Sequence, residues 1–492
     1  MKIFSSIFIS ISLLFSNNII TQDTTNNTKI FGHASSYKNC KISLLKYSDY
    51  FNYQTEIIQT CIIDSLGKFE FTIKPDNSFL SILQIKNKIG YLYIDSKATE
   101  YEVYFPIKNK DDIPKLAKEN VQLVYKDFAN NELNTLLLDF NLRLDYFLYG
   151  DTNKLIRMAS QSKEFKDSLD VFKIKIANIY NDNKIKYLHN YIRYSIASIE
   201  QLSSSKNNEQ TKYYIYNEYL KHFPVLYEND AYMIFFNQFY NEIFKSKDNK
   251  IYNNIKTAIN DTNSNYIKLN EALANDYYFK KPRIRELAII KGLGEVFYDI
   301  NYNRKSIIII LEEIIRDSKY IKHKKIATSM YKTLTRLLID YEAPNFTLES
   351  QKGNTVDLIN EKGKYVYINF FSTWNSSSVH QMDLIYDLKE LYNNIIFISI
   401  CVDDKDAYKK YITNHRNYSW NICYYNDDIK LLDNYKVQNL PQYYLINPDK
   451  TINQAPAYSP IPDGNNHSIK NTFHYIKTHS KKENNFKIGG KN

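Results

Sequence analysis

One junction constrains the chain more than any other. The run Tyr365-Val366-Tyr367-Ile368-Asn369-Phe370 is rich in β-branched and aromatic residues, and it passes through Phe371-Ser372-Thr373-Trp374 into Asn375-Ser376-Ser377-Ser378. Beyond it, Leu384, Ile385, Leu388 and Leu391 recur at helical spacing. The change of period predicts a buried strand, a short turn and a helix. Side-chain oxygens on Asn375 and Ser376 to Ser378 suit the free N–H groups of a first helical turn, so these residues are expected to cap that helix.

Three further segments stand in order around this junction. Glu342-Ala343-Pro344-Asn345-Phe346-Thr347-Leu348 and Gly353-Asn354-Thr355-Val356-Asp357-Leu358 precede Gly363-Lys364 and the strand, while Tyr435 to Asn447 follow and contain Leu440-Pro441. Together they resemble the TlpA/ResA type of thioredoxin-fold protein. In that family Ala-Pro-x-Phe-x-Leu opens the domain, Gly-x-x-Val-x-Leu follows, and Phe-Trp-Ala-Ser-Trp leads into Cys-x-x-Cys. The resemblance covers about residues 342–478 and implies an α/β thioredoxin-like domain. It also implies a cis Leu440–Pro441 peptide facing the motif helix. Trp374 and Met382 agree with the family, Gln381 replaces its usual Glu, Asn375 falls on the first cysteine and Ser378 on the second.

That departure bears directly on chemistry. Thiol-disulfide exchange needs a thiolate to attack a disulfide sulfur, and neither a carboxamide nor a hydroxyl does so. A peroxidatic cysteine is absent from the same place. Ser376 to Ser378 lie near His380 in sequence, but no orienting acid or oxyanion hole is indicated, so no catalytic serine is assigned. The histidines are scattered without metal-ligand spacing, and no cofactor is implied.

At 492 residues the chain has room for two to four domains. Residues 1–21 read as a secretory signal peptide, with Lys2 ahead of the apolar stretch Ile3 to Phe15. No later stretch reads as a transmembrane anchor, so the mature chain is expected in the periplasm or cell envelope. Residues 28–108 read as short strands separated by Asn, Ser, Asp and Gly, with a hairpin at Asp64 to Phe71. This part resembles the N-terminal β-sandwich module found ahead of TlpA-like domains in secreted proteins of Bacteroidota. From 112 to 340 the pattern is helical, including Asn131 to Phe147, Tyr187 to Leu202, Arg283 to Asp299 and His323 to Asp340. Gly292-Leu293-Gly294 lies inside that pattern with no strand before it, which excludes a phosphate loop. Residues 479–492 are expected to be a flexible tail. The fold class is thus multidomain α+β: N-terminal β-sandwich, central helical region and C-terminal thioredoxin-like domain.

A net charge of +10 raises the question of nucleic acid. Basic residues alternate with acidic ones from Lys108 to Lys319, the pattern of a solvated surface, and no nucleic-acid role is assigned. The four cysteines fall two by two, Cys40 with Cys61 and Cys401 with Cys423. Each pair is open to a disulfide in an oxidising compartment or to burial as free small hydrophobes. Two functions follow. One is a redox-dead binding module that holds peptide or protein segments at Trp374, Asn375 to Ser378, Leu440 and Pro441. The alternative is a thiol-disulfide oxidoreductase acting through Cys401 and Cys423, expected on adjacent strands where the two could meet.

Overall fold

The computed structural model describes residues 27–108, 116–126, 128–150, 163–202, 209–245, 252–261, 265–361 and 363–488. The expected signal peptide lies outside them. In the N-terminal region nine strands form two sheets. β1 (Thr28–His33), β4 (Lys68–Ile73), β7 (Glu100–Tyr104) and β9 (Val124–Tyr125) form one, in the order β4-β1-β7-β9. The second runs β3-β2-β5-β6-β8, from β2 (Lys41–Tyr47), β3 (Thr55–Ile62), β5 (Phe79–Ile85), β6 (Lys88–Ile94) and β8 (Glu119–Asn120). Alternation does the sorting: β4 reads exposed-buried throughout, and Phe69, Phe71 and Ile73 enter the core between the sheets with Ile30, Leu44, Leu83 and Val103. At the expected hairpin, Gly67 has φ +86 and lies close against the Ser35 backbone. β8 and β9, with two residues each, are too short to show a period of two, whereas β7 alternates over its five residues.

Ten helices are described in the central region. They are α1 (Leu133–Tyr149), α2 (Lys163–Tyr180), α3 (Lys186–Leu202), α4 (Glu209–Tyr219), α5 (Asp230–Phe239), α6 (Tyr252–Asn260), α7 (Tyr266–Ala274), α8 (Pro282–Val296), α9 (Arg304–Asp317) and α10 (Ile321–Thr335). The dense aromatics are mostly core: Tyr194, Tyr216, Tyr232, Phe235, Phe236 and Tyr240 share one buried cluster. Gly292 and Gly294 sit within α8, where an added Cβ would stand 2.7 Å from the Phe244 ring and 2.6 Å from Met330. They are small because neighbours press on them, not because they cradle a phosphate.

The C-terminal region begins with the hairpin of β10 (Thr347–Glu349) and β11 (Thr355–Asp357). Its central sheet, ordered β14-β13-β12-β15-β16, is built from β12 (Tyr365–Phe371), β13 (Ile395–Cys401), β14 (Asn421–Tyr424), β15 (Gln442–Ile446) and β16 (Ile452–Gln454). The first three are mutually parallel, β15 pairs antiparallel with β12, and β16 pairs antiparallel with β15. Helices α11 (Ser376–Leu391), α12 (Lys405–Asn414), α13 (Ile429–Asn434) and α14 (Ile469–Ile488) accompany the sheet. β12 is central and buried along nearly its whole length, which explains its unbroken apolar run. Helix α14 continues through residues 479–488, after Ile469, Phe473 and Ile476 dock it on the core, and the remainder of the expected tail, residues 489–492, lies outside the described residues. Among the described residues no helix is long and apolar enough to cross a membrane.

Candidate functional site

The site lies where β12 ends and α11 begins. Asn375 is the helix N-cap, in extended backbone, and its Oδ1 accepts from the Ser378 N–H at 2.9 Å. The three serines are not caps, as the sequence suggested, but the first helical turn itself. Ser376 and Ser377 are exposed, while Ser378 is buried and its Oγ has no hydrogen-bond partner. The cap satisfies one first-turn donor, so the Ser376 and Ser377 N–H groups remain without an intrahelical acceptor at the positive end of the helix. Trp374, 62% exposed, stands beside them. Its predecessor is held from below: the Thr373 N–H donates to Asp403 Oδ2 at 2.5 Å.

Across from this turn the Leu440–Pro441 peptide is cis. The Asn375 side chain spans the gap, its Nδ2 donating to the Leu440 carbonyl oxygen at 3.2 Å. A second tie runs through Gln381. Its Nε2 donates to Ser377 Oγ at 3.1 Å, and its Oε1 accepts from the Tyr443 hydroxyl at 2.7 Å. Tyr443 in turn stacks on Tyr367 of β12. Asn375 is thus joined to Leu440 across the gap, with Trp374, Ser376 and Ser377 exposed beside it and Ser378 buried. The Leu440 N–H makes no hydrogen bond among the described residues. The Gln381 bridge had no signal in the sequence beyond the replacement of a family Glu; its partner Tyr443 read simply as strand.

All four cysteines are free thiols. Cys40 and Cys61 are half-buried and offset along an antiparallel pair: Cys61 lies opposite Ile42, while the Cys40 carbonyl accepts from Ile63. Cys401 and Cys423 do lie on adjacent strands, but they do not meet. Cys401 is in register with Tyr424, and Cys423 with Ile400. Successive side chains on a strand point to opposite faces, so the two sulfurs lie on opposite sides of the sheet. Both are fully buried. Burial, with the Asp403 carboxylate second, pushes the Cys401 thiol far above its ordinary range, and burial alone pushes Cys423 up to about 12. Neither is a thiolate at neutral pH, the form that attacks a disulfide.

Residues 339–455 match the AhpC/TSA family. Thiol-disulfide oxidoreductase ResA of Bacillus thuringiensis (strain Al Hakam) is 28% identical over 119 residues, covering 24% of this chain and 68% of that protein. ResA of Bacillus subtilis (strain 168) is 30% identical over 115 residues, 23% of this chain and 63% of that protein. Among solved structures, the thioredoxin domain of a thiol-disulfide oxidoreductase from Bacteroides vulgatus is 28% identical. That alignment covers 24% of this chain and 86% of the solved chain, with a TM-score of 0.21.

Proposed function

We propose, for a chain whose C-terminal region is an AhpC/TSA thioredoxin-fold domain homologous to the ResA thiol-disulfide oxidoreductases, that this domain binds extended peptide or protein segments and performs no thiol chemistry. The observation that carries the reading is what stands at the start of α11. Asn375 and Ser378 occupy the two positions where exchange needs sulfur, one serving as a helix cap and the other buried. Exchange fails there for want of a nucleophile. Binding needs none: Trp374 offers an exposed apolar face, the Leu440 N–H offers a donor to an added strand, and the first-turn N–H groups favour a carbonyl or carboxylate. The apolar leader at residues 1–21 supports placing the mature chain outside the cytoplasm, in the periplasm or cell envelope.

The deciding test is insulin-disulfide reduction with dithiothreitol, comparing the natural chain with an Asn375→Cys, Ser378→Cys double variant. The natural chain is expected to leave the background rate unchanged and the double variant to raise it. Turnover by the natural chain that disappears in Cys401→Ser would overturn the reading in favour of the oxidoreductase. Binding is checked by fluorescence anisotropy with reduced, carboxymethylated α-lactalbumin, a chain held extended and free of thiols.

A further inference from the structure

Asn375 does more than stand in for a cysteine. Its carboxamide is used at both ends, Oδ1 on the Ser378 N–H at 2.9 Å and Nδ2 on the Leu440 oxygen at 3.2 Å. The second bond falls on the carbonyl that an extended segment lying beside Leu440 would use as its acceptor. Its neighbour, the Leu440 N–H, is left open. Half of the strand-pairing edge is therefore occupied from within the protein and half is free.

We infer that Asn375 is an internal occupant of the binding groove, and that a ligand enters by exchanging its own backbone N–H for the Asn375 Nδ2 at the Leu440 oxygen. The exchange conserves hydrogen bonds. One donor leaves the carbonyl and another takes its place, so the natural chain gains no bond at that oxygen, and the freed Nδ2 faces solvent while Oδ1 stays on the Ser378 N–H. The helix cap is thus independent of whether the groove is filled. The ligand this selects is an extended backbone with consecutive free N–H and C=O groups. A folded surface, or a segment with proline at the pairing position, lacks the N–H needed to displace the amide. The Gln381 bridge from Ser377 to Tyr443 does not pass through Leu440, so it holds the groove walls in place when Asn375 lets go.

This inference rests on the peptide-binding reading above, and its test separates the two. Asn375→Ser retains an oxygen able to cap α11 but loses the donor. Asn375→Asp does the same and adds a charge that the helix N-terminus tolerates. Without ligand, both variants are expected to accelerate amide hydrogen exchange across Val437 to Gln442, with exchange in β12 and β13 unchanged. With carboxymethylated α-lactalbumin as probe, Asn375→Ser is expected to bind about three- to tenfold more tightly than the natural chain, the span of one net hydrogen bond no longer displaced. Unchanged exchange in both variants, or binding by Asn375→Ser no tighter than that of the natural chain, would overturn the inference. Accelerated exchange with no binding by any form would sink the peptide-binding reading and leave the internal contact standing.

Discussion

At the scale of single residues, position along a strand decides what a cysteine can do. Cys401 and Cys423 are one register step from being neighbours on the same face, and that step separates them by the thickness of the sheet. Their raised thiol pKa values follow from burial and carry a clear sign: the neutral form persists to higher pH, so thiolate chemistry is suppressed across the neutral range. Ellman's reagent at pH 8 is expected to modify Cys40 and Cys61 slowly in the folded protein and all four cysteines after denaturation. Cys401→Ser should leave the native-state count of reactive thiols unaltered. Rapid native labelling that this substitution abolishes would show Cys401 to be accessible and the assigned burial wrong. The sequence placed both cysteines on adjacent strands correctly, yet it could not fix their register, because register depends on a partner strand that lies twenty residues away in the chain.

At the scale of elements, the junction of β12 and α11 was legible because three local signals agree there: an apolar run, a capping residue and a helical period. The capping detail was not. Asn375 and three serines are all good caps, and only the packing of Met382, Ile385 and Leu388 against the sheet sets the helical phase that makes Asn375 the cap. Helices α6 and α7 escaped because nine residues each are too few to show a stripe clearly, whereas α2 carries its stripe in Phe165, Leu169, Phe172, Ile176 and Tyr180 and was legible. Gln381 links α11 to β15 and is itself buried, so its loss strands the Tyr443 hydroxyl in an apolar setting. Gln381→Leu is expected to lower stability by about 1–3 kcal/mol in urea titration. Gln381→Glu should be milder, because a carboxylate still accepts from Tyr443. Equal stability of all three forms would mean that the bridge contributes nothing and that the groove walls are positioned by sheet packing alone.

At the scale of the whole molecule, alternation of sheet and helix patterns was enough to divide the chain, while the contacts that join its parts were invisible. The C-terminal domain meets the β-sandwich through Lys86–Asp427 and Lys118–Asp433, and Arg336, just past α10, reaches both the Asp433 carbonyl and Gln54. A cleft of about 1310 Å³ opens at this meeting point, so the junction is incompletely filled. The join between sandwich and helices is different in kind. Asp230, at the start of α5, is buried and accepts from Tyr93 of β6 at 2.9 Å and from Tyr187 of α3 at 2.8 Å. Burial raises its carboxyl pKa above the ordinary 3.8, outweighing the two hydroxyl donors that act the other way. The folded state therefore holds this proton to a higher pH than the unfolded chain does. Its contribution to stability is complete below the unfolded value and is lost as pH rises through the folded one. Asp230→Asn removes that titration while keeping an acceptor for one tyrosine. Thermal unfolding followed from pH 4 upward should show the natural chain losing stability relative to Asp230→Asn, whatever the offset between them at the start. Parallel curves would mean that Asp230 is ionised in the folded protein throughout, and that Tyr93 and Tyr187 stabilise a buried carboxylate at the join between sandwich and helices.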